Sequence, residues 1–207
     1  MIFSKTARVC LIVVAALLSA ATTAQATTVV PPEFTELVNG SDYVVRAKVR
    51  SLSYEARQHE GREIIFTHIE LEVTEVIVGT PPTPLVLTML GGRVGDSVMT
   101  VEGVPKFVVG EEEIFFVAGN GVNFYPTYAV MHGRYPVRKD KATGREYITR
   151  TNGVPLSDVA EVAAPMPSDA VAQAMRRLRK SGDALSPVDF VQQIKQARVA
   201  RGLIHER

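Results

Sequence analysis

The stretches YVVRAKVR (residues 43–50) and IFTHIELEVTEVI (residues 65–77) decide the fold. In the first, Tyr43, Val45, Ala47 and Val49 alternate with Val44, Arg46, Lys48 and Arg50. In the second, Ile65, Thr67, Ile69, Leu71, Val73 and Ile77 share one parity, and Phe66, His68, Glu70 and Glu72 share the other. Successive side chains leave a strand on opposite sides, so a period of two marks a strand with one buried face. Paired antiparallel, the two apolar faces coincide, and the stripe Arg46, Lys48, Arg50 comes to lie near Glu70 and Glu72. Opposite charges across a ladder stabilise it by about 0.2–1 kcal/mol per pair. Glu55 to Arg62, with Gly61, reads as the polar tip between the strands.

Outward from this pair the chain stays rich in strands. Upstream, Pro31-Pro32 opens onto two turns of helix at Glu33 to Asn39, which Asn39-Gly40 stops. Downstream, the proline-rich Gly79 to Pro84 is a loop. Leu85 to Leu90 is apolar on both parities and predicts a central strand. A glycine-rich connection, Gly91 to Asp96, leads to a short strand at Val98 to Val101, and Glu111-Glu112-Glu113 reads as a charged turn. Ile114 to Ala118 is a second doubly apolar strand, ended by the hairpin signal Gly119-Asn120-Gly121. Tyr125 to Val137 and Glu146 to Thr149 supply the last strands, around a turn at Asp140 to Gly144. Regular turns with no helix between them predict an all-β sandwich or barrel over residues 27–153. Residues 154–167, rich in Pro, Ala and Val without a period, read as a linker. Residues 168–207 read as a C-terminal helical appendage, with start signals at Ser168-Asp169 and at Ser186-Pro187-Val188-Asp189.

The first 26 residues predict export. Lys5 and Arg8 precede an apolar run from Val9 to Ala21, and Ala24-Gln25-Ala26 gives the small-x-small pattern of a signal-peptidase site before Thr27. The run is short for a membrane span, which needs about 20 apolar residues. Periplasmic or extracellular residence follows, with no transmembrane segment after cleavage. Cys10 is the only cysteine, so the mature chain has no disulfide, no thiolate nucleophile and no cysteine-held metal. Loss of Lys5 and Arg8 leaves 21 basic groups against 22 acidic ones, a balance that predicts no attraction to nucleic acid.

The catalytic motifs are thin, and no catalytic residue, metal ligand or cofactor is expected. Gly95-Asp96-Ser97-Val98 resembles the opening of the GDSL-type esterase block, which would make Ser97 a nucleophile. That family supplies its base from an Asp-x-x-His, and no such motif occurs here. His68, Glu70 and Glu72 share a strand face and are of ligand type for zinc or manganese, but a flat strand does not make such ligands converge. Gly91 to Gly95 lacks the lysine of a P-loop and the helix of a dinucleotide fold. Arg176, Arg177, Arg179 and Lys180 form the densest basic cluster, at the end of a helix, and leave weak contact with anionic envelope components open.

A short helix followed by Ser-Asp-Tyr-Val-Val-Arg-Ala-Lys-Val and Leu-Glu-Val-Thr-Glu-Val-Ile-Val-Gly, then a proline-rich loop and an apolar strand, resembles a pattern in exported bacterial proteins of unknown function. More distantly it is similar to netrin-like and tissue-inhibitor-of-metalloproteinase modules. The similarity spans Glu33 to Val101. It implies an antiparallel OB-like barrel, and protein binding in place of catalysis. Such inhibitors present an N-terminal cysteine to the catalytic zinc, and this mature chain starts at Thr27 without one, so that mechanism does not carry over. The sequence thus predicts a non-enzymatic binding or accessory module acting on another exported protein. Contact is expected at Arg57, His59 and Arg62 of the tip and at Arg93 of the glycine-rich loop, since arginine pairs with carboxylates and stacks on aromatics. Two alternatives stand beside it: a secreted hydrolase using Ser97 or a metal at His68, Glu70 and Glu72, and an envelope-associated structural protein.

Overall fold

In a computed structural model of the 207-residue chain, residues 29–101 and 106–205 are described. The expected signal peptide, residues 1–26, lies outside them. The two strands read from the period of two are longer than the periodicity indicates: β1 (Tyr43–His59) and β2 (Arg62–Val78) have 17 residues each. Only Glu60 and Gly61 join them, both in the left-handed region at φ 50° and 76°, a two-residue turn that matches the twist of the flanking strands. Glu55 to Arg62 is therefore mostly strand rather than loop, paired from Glu55↔Phe66 to His59↔Arg62. Register shifts at Val44/Val45, Arg46/Ala47 and Val49/Ser51 act as bulges that coil the ladder.

β3 (Leu85–Leu90), β6 (Glu112–Val117), β7 (Arg134–Lys139) and β8 (Glu146–Ile148) complete a six-stranded antiparallel sheet in the order β3-β2-β1-β6-β7-β8. β4 (Gly92–Val94) and β5 (Ser97–Met99) form a separate small hairpin. The protein is mainly β, and the described residues include three α-helices: α1 (Phe34–Gly40), α2 (Asp169–Leu178) and α3 (Pro187–His205). β3 is an edge strand, not a central one. Of the strand only Leu85 and Leu87 are buried, and its outer edge is covered by hydrogen bonds. Asn120 Nδ2 donates to Val86 O (2.8 Å), Thr88 N donates to Asn120 Oδ1 (3.1 Å), and Leu90 N donates to Phe124 O (3.0 Å). The strand expected from Tyr125 is broken into a bridge at Thr127 and a 3-10 turn, Val130–Gly133, before β7 begins.

Both faces of the sheet are covered. On one, Val45, Ala47, Val49, Ile69, Leu71, Leu87 and Phe115 pack inside the curl of the sheet. On the other, Val44, Ile77, Phe116 and Tyr135 pack beneath Leu37 and Val38 of α1 and Phe190 and Ile194 of α3. This two-sided burial explains why Ile114, Phe115, Phe116 and Val117 are apolar at every position, each 0 % exposed. The stretch expected as a linker belongs to the helical-side core: Val162 and Leu156 are buried there, Leu156 N donates to Ile148 O (3.0 Å), and Leu185 N donates to Leu156 O (2.8 Å). A 3-10 turn, Val159–Ala163, and isolated backbone bonds bury these residues, so no period betrays them. α3 starts as its sequence predicts, with Ser186 Oγ accepting from Asp189 N (3.1 Å) and donating to Asp189 Oδ2 (2.6 Å).

The charge stripes pair much as expected. Lys48 stands opposite Glu72 and Arg50 Nη1 is 3.3 Å from Glu70 Oε1, but Arg46 turns instead to Glu112 and Glu146, 2.9 Å from each. The run Glu111 to Glu113 is not a plain charged turn. Glu112 opens β6, and the Glu113 side chain, 1 % exposed, faces that of Arg134, 3 % exposed, with Arg134 Nη2 2.6 Å from Glu113 Oε1. Behind the pair, the Arg134 guanidinium carbon lies 3.8 Å from the Phe107 ring centroid, a cation–π contact.

His132 is the second buried polar group with a consequence. It is 3 % exposed, and its Nδ1 has no hydrogen-bond partner among the described residues. Burial first, and the charge of Arg150 second, push its pKa down to about 4. An unfolded imidazole takes its proton near pH 6.5. Between the two values the unfolded state binds more protons, so stability falls as pH drops from about 6.5 and levels off below about 4, by roughly 3–4 kcal/mol in all. Thermal unfolding at pH 7 and pH 4.5 is expected to show this loss in the native sequence and to lose most of it in His132→Phe.

Candidate functional site

β6 pairs with β1 only from Tyr43 to Lys48, and β3 with β2 only from Phe66 to Leu71. Beyond those limits β1 and β2 have no paired strand among the described residues but each other. They run on as a two-stranded ribbon in which every residue from Ser53 to Glu63 is exposed. A bare ribbon has no core of its own and rests on the ladder and on contacts within each face.

The register places Ser53, Glu55, Arg57 and His59 on one ribbon face with their partners His68, Phe66, Ile64 and Arg62. A polar network stiffens that face. Arg57 Nε and Nη2 donate to Glu55 Oε1 and Oε2, both at 2.8 Å, and the guanidinium stands 5.1 Å from the Phe66 ring centroid. His68 Nε2 is 3.0 Å from Glu55 Oε2, and its Nδ1 is 3.1 Å from Thr88 Oγ1. The bonds from Arg57 first, and from His68 second, hold the Glu55 carboxyl down to about 2, so Glu55 stays anionic through the ordinary pH range. Three of the expected contact residues, Arg57, His59 and Arg62, thus meet on one surface. Arg57 spends its fork on Glu55, whereas Arg62 is exposed and has no ion pair among the described residues.

Arg93 lies on another surface. β4 packs against the opposite ribbon face, and this approach requires glycine at 92: its φ is 137°, and a Cβ there would meet Thr67 Oγ1 and Tyr54 Cδ1 at 2.8 Å. Arg93 and Lys106 border a cleft of about 550 Å³ whose walls include Tyr54, Met89, Met99 and Phe107. Neither cation has an ion pair among the described residues. The sequence reading missed Glu55 and Phe66 because it took residues 55–62 for a loop. Read as strand, Glu55 and Arg57 stand two apart on one face and their pairing is legible.

The residues of the hydrolase alternative do not assemble. Ser97 opens β5, is exposed, and bonds to no histidine among the described residues. His68 reaches Glu55 and Thr88, Glu70 accepts from Ser51 Oγ (2.8 Å), and Glu72 stands opposite Lys48. Among the described residues no group of three His, Cys, Asp or Glu could hold a metal ion. In the basic cluster, Arg176 donates to Asn152 O, and Arg179 donates to Pro155 O (2.9 Å) and pairs with Glu161. Arg177 and Lys180 remain exposed. No helix among the described residues is long and apolar enough to cross a membrane. The chain matches no protein-family model and no curated protein sequence.

Proposed function

We propose that this is an exported, non-enzymatic binding or accessory module that acts on another exported protein through the face carrying Arg57, His59 and Arg62 and through the cleft at Arg93. One observation carries the reading: a ribbon exposed from Ser53 to Glu63, paired with no third strand among the described residues and holding an ordered face of Arg57, Arg62, Phe66 and Ile64. Aromatic and arginine side chains on a preorganised surface are the groups that dominate contact energies.

We propose also that the sheet is an OB-like barrel, distantly similar to the netrin-like modules. Support comes from the three hydrogen bonds that link the outer edge of β3 to Asn120 and Phe124, in the segment that follows β6, and from the apolar cluster that β1, β2, β3 and β6 enclose. Loops and ribbons at the rim of such a scaffold are free to vary without cost to the core.

Affinity capture from the native exported proteome tests the function. The captured partner is expected to persist in chelator and to bind about tenfold more weakly to Arg62→Ala or Arg93→Ala, a loss of about 1.4 kcal/mol. Arg57→Ala also weakens capture, since it frees Glu55 and uncovers Phe66. Mass spectrometry of the exported bait is expected to find Thr27 at its N-terminus. Capture that ignores all three arginines and depends on Arg177 and Lys180 with steep salt sensitivity would favour envelope attachment instead.

A further inference from the structure

The outer edge of β1 runs from Leu52 to His59 with no hydrogen-bond partner among the described residues. Strand β6 ends its pairing at Lys48, and the last bonds to this edge are Val49 N to Glu111 O (2.9 Å) and Gly110 N to Val49 O (2.8 Å). An exposed edge of this length is a template for another strand. Its sequence is Ser-Tyr-Glu-Ala-Arg-Gln-His, residues 53–59, and the two charges flank Ala56 symmetrically.

We infer that this edge pairs with the same edge of a second copy of the chain, antiparallel, about a two-fold axis at Ala56. Under that symmetry Glu55 stands opposite Arg57 of the other copy, Tyr54 opposite Gln58, and Ser53 opposite His59. A two-fold contact has to be self-complementary, with residue i on j and j on i. The order Glu-Ala-Arg meets that condition at both charged pairs at once. The bidentate Glu55–Arg57 pair within each ribbon then becomes one side of a four-membered ring of alternating charge. Glu55 keeps one carboxylate oxygen toward His68, and both charged side chains are about half exposed, so they can swing to the partner. Directly opposed charges of opposite sign stabilise a ladder, and like charges there destabilise it. The ribbon is too slender to bury a full-sized interface, so the contact is a weak one formed at high concentration. It engages the backbone edge and shares Arg57 with the binding face proposed above but leaves Arg62 open, so Arg62→Ala, which weakens capture and spares the dimer, tells the two apart.

Cysteine cross-linking tests the axis directly. In a Cys10→Ser background, Ala56→Cys places the two sulfurs across one ladder position, where opposed Cβ atoms are about 4.5–5.5 Å apart. Gln58→Cys places them four positions out of register, where bridging is excluded. Disulfide-linked dimer is expected from Ala56→Cys under mild oxidation and not from Gln58→Cys. Sedimentation of the native sequence is expected to show reversible dimer at roughly 100 µM and above, as befits a small contact. Glu55→Arg should abolish it, and Glu55→Arg with Arg57→Glu should restore it. A chain that stays monomeric throughout, cross-links equally at both sites, or dimerises regardless of Glu55→Arg overturns the proposal. So does a monomer whose β1 edge accepts an extended peptide of another protein.

Discussion

Arg134→Ala is expected to cost about 3–5 kcal/mol, the price of leaving the Glu113 carboxylate buried without a counter-charge. The two side chains are 3 % and 1 % exposed, so water cannot substitute for the lost guanidinium. The arginine also donates from Nη1 and Nη2 to Lys106 O, both at 3.3 Å, and stacks on Phe107, so the truncation loosens residues 106 and 107 as well. The double variant Glu113→Leu with Arg134→Met is expected to recover most of the loss, because apolar groups of similar volume carry no desolvation cost. Denaturant unfolding of the two variants and the native sequence separates these outcomes. Equal destabilisation by the single and double changes would mean that packing around Phe107, not charge, sets the effect.

Phe190→Ala is expected to remove about 3–5 kcal/mol, the range for deleting a large aromatic from a filled core. Phe190 is 0 % exposed and lies at the meeting point of α3 and the sheet, with ring centroids 5.0 Å from Tyr135, 5.9 Å from Phe34 and 6.1 Å from Phe116. No other single side chain touches α1, β6 and β7 in this way among the described aromatic pairs. A fall in unfolding temperature accompanied by early exchange of the α3 amides would show that the helix is held mainly by this ring. Val188→Ala, on the exposed side of the same helix, is expected to change little.

The pair β1–β2 was legible because alternation of apolar residues and the opposed charge stripes agree on one register. The ribbon beyond it was not. From Ser53 to Glu60 one parity is wholly polar and the other offers only Tyr54 and Ala56, so period two has little contrast to reveal, and the strand persists because its partner is in register. Leu85 to Leu90 is apolar on both parities and reads as central, but it lies at the edge, where only Leu85 and Leu87 of the strand are buried and a side-chain amide thirty-odd residues away, Asn120, takes the place of a neighbouring strand. Three glutamates in a row suggested water. The cancelling charge, Arg134, lies 21 residues from Glu113 and reveals itself only when β6 and β7 pair. Of the expected contact residues, Arg57, His59 and Arg62 are placed together by sequence proximity. The turn at Gly91-Gly92 then carries Arg93 to the other side of the ribbon, a change of side that no count of spacing reports.

The helical-side core sets an order of assembly. β1, β2 and β3 are consecutive in the chain, and the hairpin between β1 and β2 closes over two residues, an event of microseconds. These strands can pair as soon as residue 90 is available. Their other face stays open to water much longer. Its cover arrives with Phe190 and Ile194 in the last elements of the chain, and Arg198 reaches back to Val38 O across 160 residues. A chain made N-terminus first therefore spends its synthesis with Val44, Ile77 and Phe116 uncovered. The cost of closing so long a loop falls on the final step. Chains truncated before Pro187 should for that reason fail by sticking to one another through that open face, rather than by losing the β1–β2 ladder.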